Sequence, residues 1–266
     1  MVIIEQNTEI IFNKRVASET FLMGLNSPEI VARARPGQFV MIRVREAIDP
    51  LLRRPFSICG VQDELILLLY RVVGRGTACL ADTGKGETLS IVGPLGNGFE
   101  VPDDNQKILL VAGGIGIAPL LFLSKAVETG DIEFMTGFTS ADEIIDPHKI
   151  CNVKTGLSLA TDDGTKGHAG IVTELLEEYL GRQDTGTGEV GVFTCGPLPM
   201  MKRVAALALE HGIFCQVSLE AFMACGLGAC QGCAVKASSS EGKTLYHNVC
   251  KDGPVFPGQA IDWNSL

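Results

Sequence analysis

Two patterns of apolar and polar positions follow one another along the chain and meet near residue 101. In the first part, short apolar runs are separated by glycine and proline turns, a spacing that predicts many short β-strands in a barrel or sandwich. We expect these strands at Thr8–Phe12, Phe21–Leu25, Gln38–Arg43, Phe56–Gly60, Leu65–Arg71 and Thr88–Val92.

Beyond the polar stretch Pro102–Asn105, which is a predicted linker, strand patterns alternate with helix patterns. This alternation predicts a parallel sheet with covering helices. The expected helices are Pro119–Glu128, Ile171–Leu180 and a third that ends near Glu210. The expected strands are Lys107–Ala112, Glu133–Phe138, Leu157–Ala160, Val190–Thr194 and Phe214–Ser218, the last of the sheet.

The fold class predicted from these patterns is multi-domain, with a β part followed by an α/β part. We expect an N-terminal antiparallel Greek-key barrel over residues 1–101 and a central parallel-sheet nucleotide-binding domain over residues 102–220. Residues 221–266 would form a small C-terminal module that holds a cysteine motif.

Composition narrows the class of protein. The 266 residues are 46% hydrophobic and 20% charged, as in ordinary globular domains. A net charge of −9 argues against nucleic acid as a partner, because such binding depends on basic surface. No stretch has the pattern of a signal peptide or a membrane helix, so we expect no membrane partner. Nine cysteines in such a chain predict a reducing, cytoplasmic location.

Four cysteines near the C-terminus, Cys225, Cys230, Cys233 and Cys250, follow the spacing C-x4-C-x2-C and a later Cys. This is the plant-type spacing of ligands for a [2Fe–2S] cluster, in which three thiolates come from one loop. Glycines between them let backbone N–H groups approach the sulfurs. Zinc is the main alternative, although zinc sites usually pair two C-x2-C units, and disulfides need an oxidising compartment.

Two stretches of the barrel suit a flavin. Arg53–Ile58 offers arginine for a phosphate, a ring for the isoalloxazine and the Ser57 hydroxyl for the reactive nitrogen; a strand that begins with a solvated arginine pair is the plain alternative. In Tyr70–Thr77 a strand ends in two glycines and a threonine. Exposed N–H groups there, with Thr77 and Arg71, would hold a pyrophosphate, and an ordinary strand–turn–helix corner is the alternative.

Two glycine-containing turns lie at predicted strand ends in the second part. One contains Gly113, Gly114 and Gly116, and the other is Cys195-Gly196-Pro197. In a parallel sheet both turns lie at the carboxyl edge, where dinucleotides bind. The first departs from G-x-G-x-x-G, since its third glycine is missing. For Cys195 the alternative is a buried thiol, and no neighbouring base supports a nucleophile.

The choice between NAD and NADP depends on charge. A 2′-phosphate needs arginine or lysine after the second strand of the domain. That place reads Gly137–Glu143 here, which is acidic and lacks a basic residue, so the sequence favours NAD. We interpret Asp162 and Asp163 as a turn with helix capping rather than as catalytic carboxylates.

With these motifs in this order, the chain resembles the ferredoxin–NADP reductase superfamily, and more closely the family of electron-transfer subunits of class 1B dihydroorotate dehydrogenases. A related subunit, that of NADH-dependent ferredoxin:NADP oxidoreductase, has Asp where this chain has Cys225. Family members often have a charged pair where this chain has Ala221 and Phe222. The resemblance covers essentially the whole chain and is carried by RRPFSI, YRVVGRGT, GGIGIAPL, TDDGTKGHAG, TCGPLPMM, SLEAFMACGLGACQGCAVK and VCKDGPVF.

The resemblance implies FAD in the barrel, NAD as substrate of the α/β domain and a [2Fe–2S] cluster on the four cysteines. It also implies a partner, the FMN-containing dihydroorotate dehydrogenase catalytic subunit, in a heterotetramer of two plus two. Dihydroorotate would be oxidised on the partner's FMN, and electrons would pass through the cluster and FAD to NAD⁺ in pyrimidine biosynthesis. The implied FAD contacts are Arg54, Pro55, Phe56, Ser57, Tyr70, Arg71, Val72, Gly76 and Thr77.

Two other functions stay open on the sequence. One is an NAD(P)H:acceptor flavin and iron–sulfur reductase subunit of a hydrogenase, sulfide dehydrogenase or oxygenase complex, which shares every motif within the chain. The other is a zinc-stabilised regulatory module with a degenerate nucleotide domain, which predicts a colourless protein.

Overall fold

A computed structural model of the chain describes residues 3–101, 107–127, 131–151, 156–182, 190–238 and 245–266. The predicted linker Pro102–Asn105 lies outside these ranges. All six strands predicted in the first part form, and most extend by a few residues at their ends. They are β1 Ile4–Ala17, β2 Thr20–Asn26, β3 Phe39–Arg43, β4 Arg54–Gln62, β5 Leu65–Arg71 and β6 Thr88–Leu95, with short helices α1 Pro28–Val31 and α2 Arg75–Ala81.

Within residues 3–101 these strands close into an antiparallel barrel in the order β1-β2-β5-β4-β3-β6. Apolar side chains from every strand meet inside it, among them the fully buried Ile10, Met23, Ile58 and Leu68. Closure leaves no unpaired strand edge, which is how a barrel of short strands becomes stable. The predicted Greek-key barrel is therefore confirmed.

The second part is a sheet covered by helices, as predicted. Its elements are β7 Lys107–Gly113, α3 Ile117–Ala126, β8 Ile132–Phe138, α4 Pro147–Cys151, β9 Gly156–Thr161, β10 His168–Ala169, α5 Val172–Arg182, β11 Val190–Cys195, α6 Leu198–Glu210 and β12 Phe214–Ser218. Strands β7 to β12 pair in parallel. Buried apolar residues of β7 and β11 contact helices on both faces, which explains their continuous apolar runs.

Several details differ from the sequence prediction, and one of them is the short helix α4, which was not predicted. Helix α3 begins at Ile117, after a 3₁₀ turn at Gly114–Gly116, so Pro119 is its third residue; a proline is tolerated there because the first N–H groups of a helix have no partner within it. The two-residue strand β10 was not predicted. Strand β12 is not the last of the sheet, because a strand from the C-terminal part, Val255–Pro257, pairs with it antiparallel.

The C-terminal part contains strands β13 Ala234–Lys236, β14 Tyr246–Asn248 and β15 Val255–Pro257, followed by a 3₁₀ turn at Gly258–Ala260. In the described residues β13 and β14 form a separate two-stranded sheet, while β15 extends the large sheet, whose order is β10-β9-β8-β7-β11-β12-β15. The barrel contacts this part directly, since Asn97 Nδ2 donates to the carbonyls of Lys251 and Asp252 at 3.1 and 2.9 Å.

Candidate functional site

A cavity of about 370 Å³ lies between strands β4 and β5, the start of α3 and the segment after β12. We call it the barrel cavity. Most residues implied as FAD contacts line it: Arg54, Pro55, Phe56, Ser57, Tyr70, Arg71 and Thr77. Other lining residues come from distant parts of the chain: Phe39, Ile115, Ala118, Leu219, Glu220, Ala221, Phe222, Met223 and Pro254.

Val72 and Gly76 are not among the described residues that line the barrel cavity. The Val72 N–H donates to the carbonyl of Glu19 at 2.8 Å, within the barrel. Gly76 lies behind Arg54, because a β-carbon at Gly76 would be 3.0 Å from Arg54 Nε. Gly76 thus contacts a lining residue, and Val72 lies between the lining residues Arg71 and Val73 in the chain.

Tyr70 is a fixed part of the barrel cavity. Its hydroxyl donates to Asn13 Oδ1 at 2.9 Å, and its ring stacks on Phe21 and meets the edge of Phe56, each at 5.7 Å between centroids. Burial raises the pKa of Tyr70 to about 12, outweighing the hydrogen bond with Asn13, which lowers it. The phenol is thus neutral at physiological pH and offers a rigid aromatic surface.

The predicted pyrophosphate corner is partly used by the protein itself. The Thr77 hydroxyl accepts hydrogen bonds from the N–H groups of Val73 at 2.9 Å and Gly74 at 3.2 Å. These three groups, expected from the sequence to face a phosphate, are bonded to one another at the start of α2. The arginines that line the barrel cavity are Arg54 and Arg71, so they are its cationic groups for a phosphate.

The segment after β12 brings an acid to the barrel cavity that sequence reasoning missed. Glu220 lines the cavity, and burial raises the pKa of its carboxyl group. Phe222 lies beside it and is 98% exposed. The motif SLEAF carries no sign of this position; the course of the chain after β12 brings Glu220 to the same cavity as Ser57.

A second cavity, of about 390 Å³, lies at the carboxyl edge of the parallel strands, and we call it the sheet-edge cavity. Of the predicted dinucleotide residues, Gly113, Gly114 and Pro197 line it, whereas Gly116, Cys195 and Gly196 are not among its described lining residues. The rest of its wall is Arg71, Gly137, Phe138, Thr139, Glu143, Asp162, Ile171, Val172, Thr173, Pro199, Met200 and Arg203.

The two predicted glycine turns touch each other at this edge. A β-carbon at Gly113 would be 2.6 Å from Pro197 Cδ, and one at Gly196 would be 2.8 Å from the nitrogen of Gly113. A β-carbon at Gly116 would collide with the carbonyl of Cys195. Glycine is required because the backbones of both turns pack without space for side chains. Gly116 and Gly196 thus shape the cavity without lining it.

Cys195 is a buried thiol. Its side chain is 1% exposed and belongs to the core between the sheet and α3. Burial, with a smaller contribution from Glu220, raises the pKa of Cys195 well above its usual value, against a hydrogen bond with Ser218. The structure therefore places this side chain in the core, as the alternative interpretation of the sequence expected.

The two arginines that line the sheet-edge cavity are paired with carboxylates. Arg71, at the end of β5, forms an ion pair with Glu143, which follows β8. Arg203 of α6 donates through Nε to Glu177 at 2.8 Å and through Nη1 to Glu210 at 3.4 Å. Arg203 was not predicted at this site, because α6 is far along the chain from the segment after β8, where a group for the 2′-phosphate is expected.

The four predicted cluster cysteines lie in the C-terminal part, three of them before β13 and Cys250 after β14. Cys233 and Cys250 are buried, with their sulfurs 3.3 Å apart, while Cys225 is half-buried and Cys230 is exposed. Loop N–H groups point at the sulfurs: that of Gly228 donates to Cys250 Sγ at 3.1 Å and that of Leu227 to Cys225 Sγ at 3.4 Å. This supports thiolates, since such bonds favour the charged sulfur.

Burial and hydrogen bonding act oppositely on two of these thiols. Burial alone would raise the pKa of Cys225, but N–H groups of Leu227 and Cys230 outweigh it and lower the pKa to about 6. For Cys250, burial and then the neighbouring Cys233 raise the pKa to about 12. Among the described residues, no three His, Cys, Asp or Glu side chains are grouped tightly enough to ligate a single metal ion.

None of the helices in the described part of the chain is long and apolar enough to cross a membrane.

Comparison with known proteins identifies the family. Residues 220–262 match the model of the iron–sulfur cluster binding domain of dihydroorotate dehydrogenase B. The chain is 37% identical over 260 residues to "Dihydroorotate dehydrogenase B (NAD(+)), electron transfer subunit" of Caldanaerobacter subterraneus subsp. tengcongensis, covering 97% of this chain and 98% of that one. It is 38% identical over 252 residues to the protein of the same name from Desulforamulus reducens, covering 93% and 94%.

Solved structures agree with this result. A chain of the NADH-dependent reduced ferredoxin–NADP oxidoreductase superposes with a TM-score of 0.84 at 32% identity, covering 97% of this chain and 91% of that one. A ferredoxin–NADP⁺ reductase from Neisseria gonorrhoeae, at 17% identity and a TM-score of 0.65 over 79% of this chain and 92% of that one, shares the fold. The two electron-transfer subunits, 37% and 38% identical over 97% and 93% of this chain, show that it belongs to the family of dihydroorotate dehydrogenase B (NAD(+)) electron-transfer subunits.

Proposed function

We propose that this chain passes electrons between a [2Fe–2S] cluster, FAD and NAD⁺ as the electron-transfer subunit of an NAD-dependent dihydroorotate dehydrogenase in pyrimidine biosynthesis. One observation carries the proposal: the three candidate sites adjoin each other. Arg71 lines both cavities, and Gly226 of the cysteine loop (residues 225–233) packs on Met41 and Leu95, in the same core cluster as Phe39 of the barrel cavity.

The barrel cavity suits FAD by its charge and shape. Bound FAD would supply the conversion between the single electrons of an iron–sulfur cluster and the hydride of NAD. Arg54 would bind its diphosphate, because guanidinium groups pair with phosphate oxygens. Arg71, whose two Nη groups are bonded to Glu143, would line the cavity beside it. Phe56 and Tyr70 would pack against its rings, and the Ser57 hydroxyl would orient the isoalloxazine.

The donor set of the C-terminal part suits a [2Fe–2S] cluster. Cys225, Cys230, Cys233 and Cys250 supply four thiols, the number that two irons require, at the plant-type spacing. Backbone N–H groups already directed at these sulfurs would stabilise the added negative charge of the reduced state. Cluster binding would deprotonate all four thiols.

We assign NAD to the sheet-edge cavity. Gly114, beside which there is open space, leaves room for its phosphates, and Gly113, Gly116, Cys195, Gly196 and Pro197 hold the two turns together. The functional units in this proposal are residues 1–101 for FAD, 102–220 for NAD and 221–266 for the cluster.

The partner in this proposal is an FMN-containing catalytic subunit, with two copies of each chain in the complex, and the location is cytoplasmic. Native mass spectrometry of the purified complex would measure the stoichiometry. A mass equal to one copy of each chain would contradict the two-plus-two assembly without affecting the electron path.

The decisive experiment is dihydroorotate-dependent NAD⁺ reduction, measured without oxygen, by the complex that co-purifies with the tagged chain from its own cells. We expect activity only when both subunits are present. The proposed substrate would be contradicted by a complex that contains flavin and iron and oxidises NADH but does not oxidise dihydroorotate.

A second candidate is supported by the 32% identity with a chain of the NADH-dependent reduced ferredoxin–NADP oxidoreductase. In that case the chain would be an NAD(P)H:acceptor reductase subunit of another complex. Cys225, where that related subunit has Asp, favours the dihydroorotate assignment. Identification of the co-purified subunit by peptide mass spectrometry separates the two candidates.

A further inference from the structure

Arg71 and Glu143 join the barrel to the parallel-sheet domain at one point. Arg71 is the last residue of β5, and Glu143 ends the 3₁₀ turn Ala141–Glu143 that follows β8. Nη1 of Arg71 donates to Glu143 Oε2 at 3.2 Å, and Nη2 donates to Oε1, so the pair is bidentate. A second bond links the same turn to the barrel, because the Ser18 N–H donates to the Asp142 carbonyl at 2.9 Å.

The two members of this pair do not line the same cavities. Arg71 lines both the barrel cavity and the sheet-edge cavity, whereas Glu143 lines the sheet-edge cavity. The side chains are 36% and 18% exposed, so the pair is partly shielded from water. Charge cancellation is therefore stronger than in a fully exposed pair. In the sheet-edge cavity the guanidinium of Arg71 is therefore already paired with the carboxylate of Glu143.

We propose that Glu143 determines the nucleotide specificity of the sheet-edge cavity by acting through Arg71. In this inference, Glu143 bonds both Nη groups of Arg71 and so withholds the guanidinium from the 2′-phosphate of NADP. The inference rests on the proposed role of the sheet-edge cavity as the NAD site. A general effect of acidic charge would repel NADP from any nearby carboxylate, whereas here the discrimination depends on the Arg71–Glu143 ion pair between the two domains.

The rest of the cavity wall is consistent with this assignment. A 2′-phosphate is recognised by a guanidinium with free N–H donors. Arg203, the second arginine of the wall, is engaged by Glu177 and Glu210 on the face of α5 and α6. Asp162 adds a carboxylate to the same wall. Freeing Arg71 would thus give the cavity an unpaired cation at the boundary of the two domains.

The test compares adenosine 2′,5′-bisphosphate with ADP as ligands of the purified flavin-loaded complex, by calorimetry and by competition against NADH. In Glu143→Gln we expect the affinity ratio to shift about tenfold toward the 2′-phosphate. The matched control is Asp142→Asn, which removes the same charge one residue away but leaves the Arg71 pair intact. An equal shift in Asp142→Asn would overturn the inference in favour of net charge.

A double variant isolates the role of Arg71. In an Arg71→Gln background, Glu143→Gln should no longer change the ratio, because the guanidinium that it frees is gone. A full shift there would overturn the inference. Should Glu143→Gln fail to fold, Glu143→Asp weakens the same pair, and an unchanged ratio in Glu143→Asp would equally overturn it. If the wild-type complex bound neither probe and neither competed with NADH, the proposed NAD site itself would be wrong.

Discussion

Gly226 of the cysteine loop lies directly against Met41 of barrel strand β3. A β-carbon at Gly226 would be 2.7 Å from Met41 Cγ and 3.3 Å from Leu95 Cδ1, and the backbone φ of Gly226 is +71°. Met41 and Leu95 share a core cluster with Phe39, which lines the barrel cavity. This contact therefore packs the cysteine loop against the core cluster that reaches the barrel cavity.

Gly226→Ala should disturb that packing. A left-handed backbone costs a residue with a β-carbon about 1–2 kcal/mol, and the added methyl group must displace Met41. We expect lower iron and sulfide content per chain and, in molecules that keep the cluster, slower reduction of the cluster by NADH in stopped-flow absorbance. Gly232→Ala is the matched control, because its β-carbon would meet only Cys230 Sγ at 3.6 Å. Equal effects of both changes would contradict the docking role of Gly226.

Cys230→Ser tests the ligand assignment. Cys230 is the exposed member of the four, so its replacement removes a ligand without opening a cavity in the core. We expect loss of the visible absorbance and of the electron paramagnetic resonance signal of the reduced cluster. Cys79→Ser, a half-buried thiol in α2, is the control and should keep both signals. A normal spectrum of Cys230→Ser would show that the cluster uses another ligand.

The positions of the strands and of the four cysteines were predictable because their signals are local: apolar runs, turns and fixed spacings. Glu220 and Arg203 were not predictable as cavity residues, because each reaches its cavity only through the order of strands in the sheet. Thr77 differs from its predicted role as a phosphate ligand, because its hydroxyl already accepts hydrogen bonds from two N–H groups of its own turn, those of Val73 and Gly74. Strand β15 was not predicted, because its three residues, Val255–Pro257, form too short a run to be told from a loop without their pairing to β12.

The reactivity of the cysteines should follow their burial. Burial raises the pKa of Cys215 to about 12, so only about one in ten thousand of these thiols is ionised at pH 8. Cys195, whose pKa burial also raises, should behave in the same way. Among Cys79, Cys195 and Cys215, we expect iodoacetamide to alkylate Cys79 first, as read by peptide mass spectrometry, and all three in guanidinium chloride. Labelling of Cys195 as fast as Cys79 would mean that its thiol is open to the sheet-edge cavity.

Glu220 should make stability depend on pH. Burial raises the pKa of its carboxyl group above 4.5, so the folded protein binds this proton more tightly than the unfolded chain does. The contribution of Glu220 to stability is therefore fully present below about pH 4.5 and is lost as pH rises through the raised value. Glu220→Gln should flatten the fall in melting temperature above pH 4.5, whereas the exposed Glu64→Gln should not. Parallel profiles for Glu220→Gln and wild type would contradict the raised pKa.

Ser57 provides the sharpest test of the barrel cavity as the flavin site. It lies on β4, opposite Phe39 of β3, and lines the cavity between Phe56 and the segment after β12. A hydroxyl that orients the isoalloxazine through one hydrogen bond contributes about 0.5–1.5 kcal/mol, so Ser57→Ala should slow flavin reduction by NADH by up to about tenfold while FAD stays bound. Stopped-flow absorbance measures the rate, and the flavin spectrum measures occupancy. Ser158→Ala on β9, whose hydroxyl donates to Glu133, is the control and should leave both unchanged. An unaltered rate in Ser57→Ala would remove Ser57 from the reaction, and loss of FAD would make it a binding residue instead.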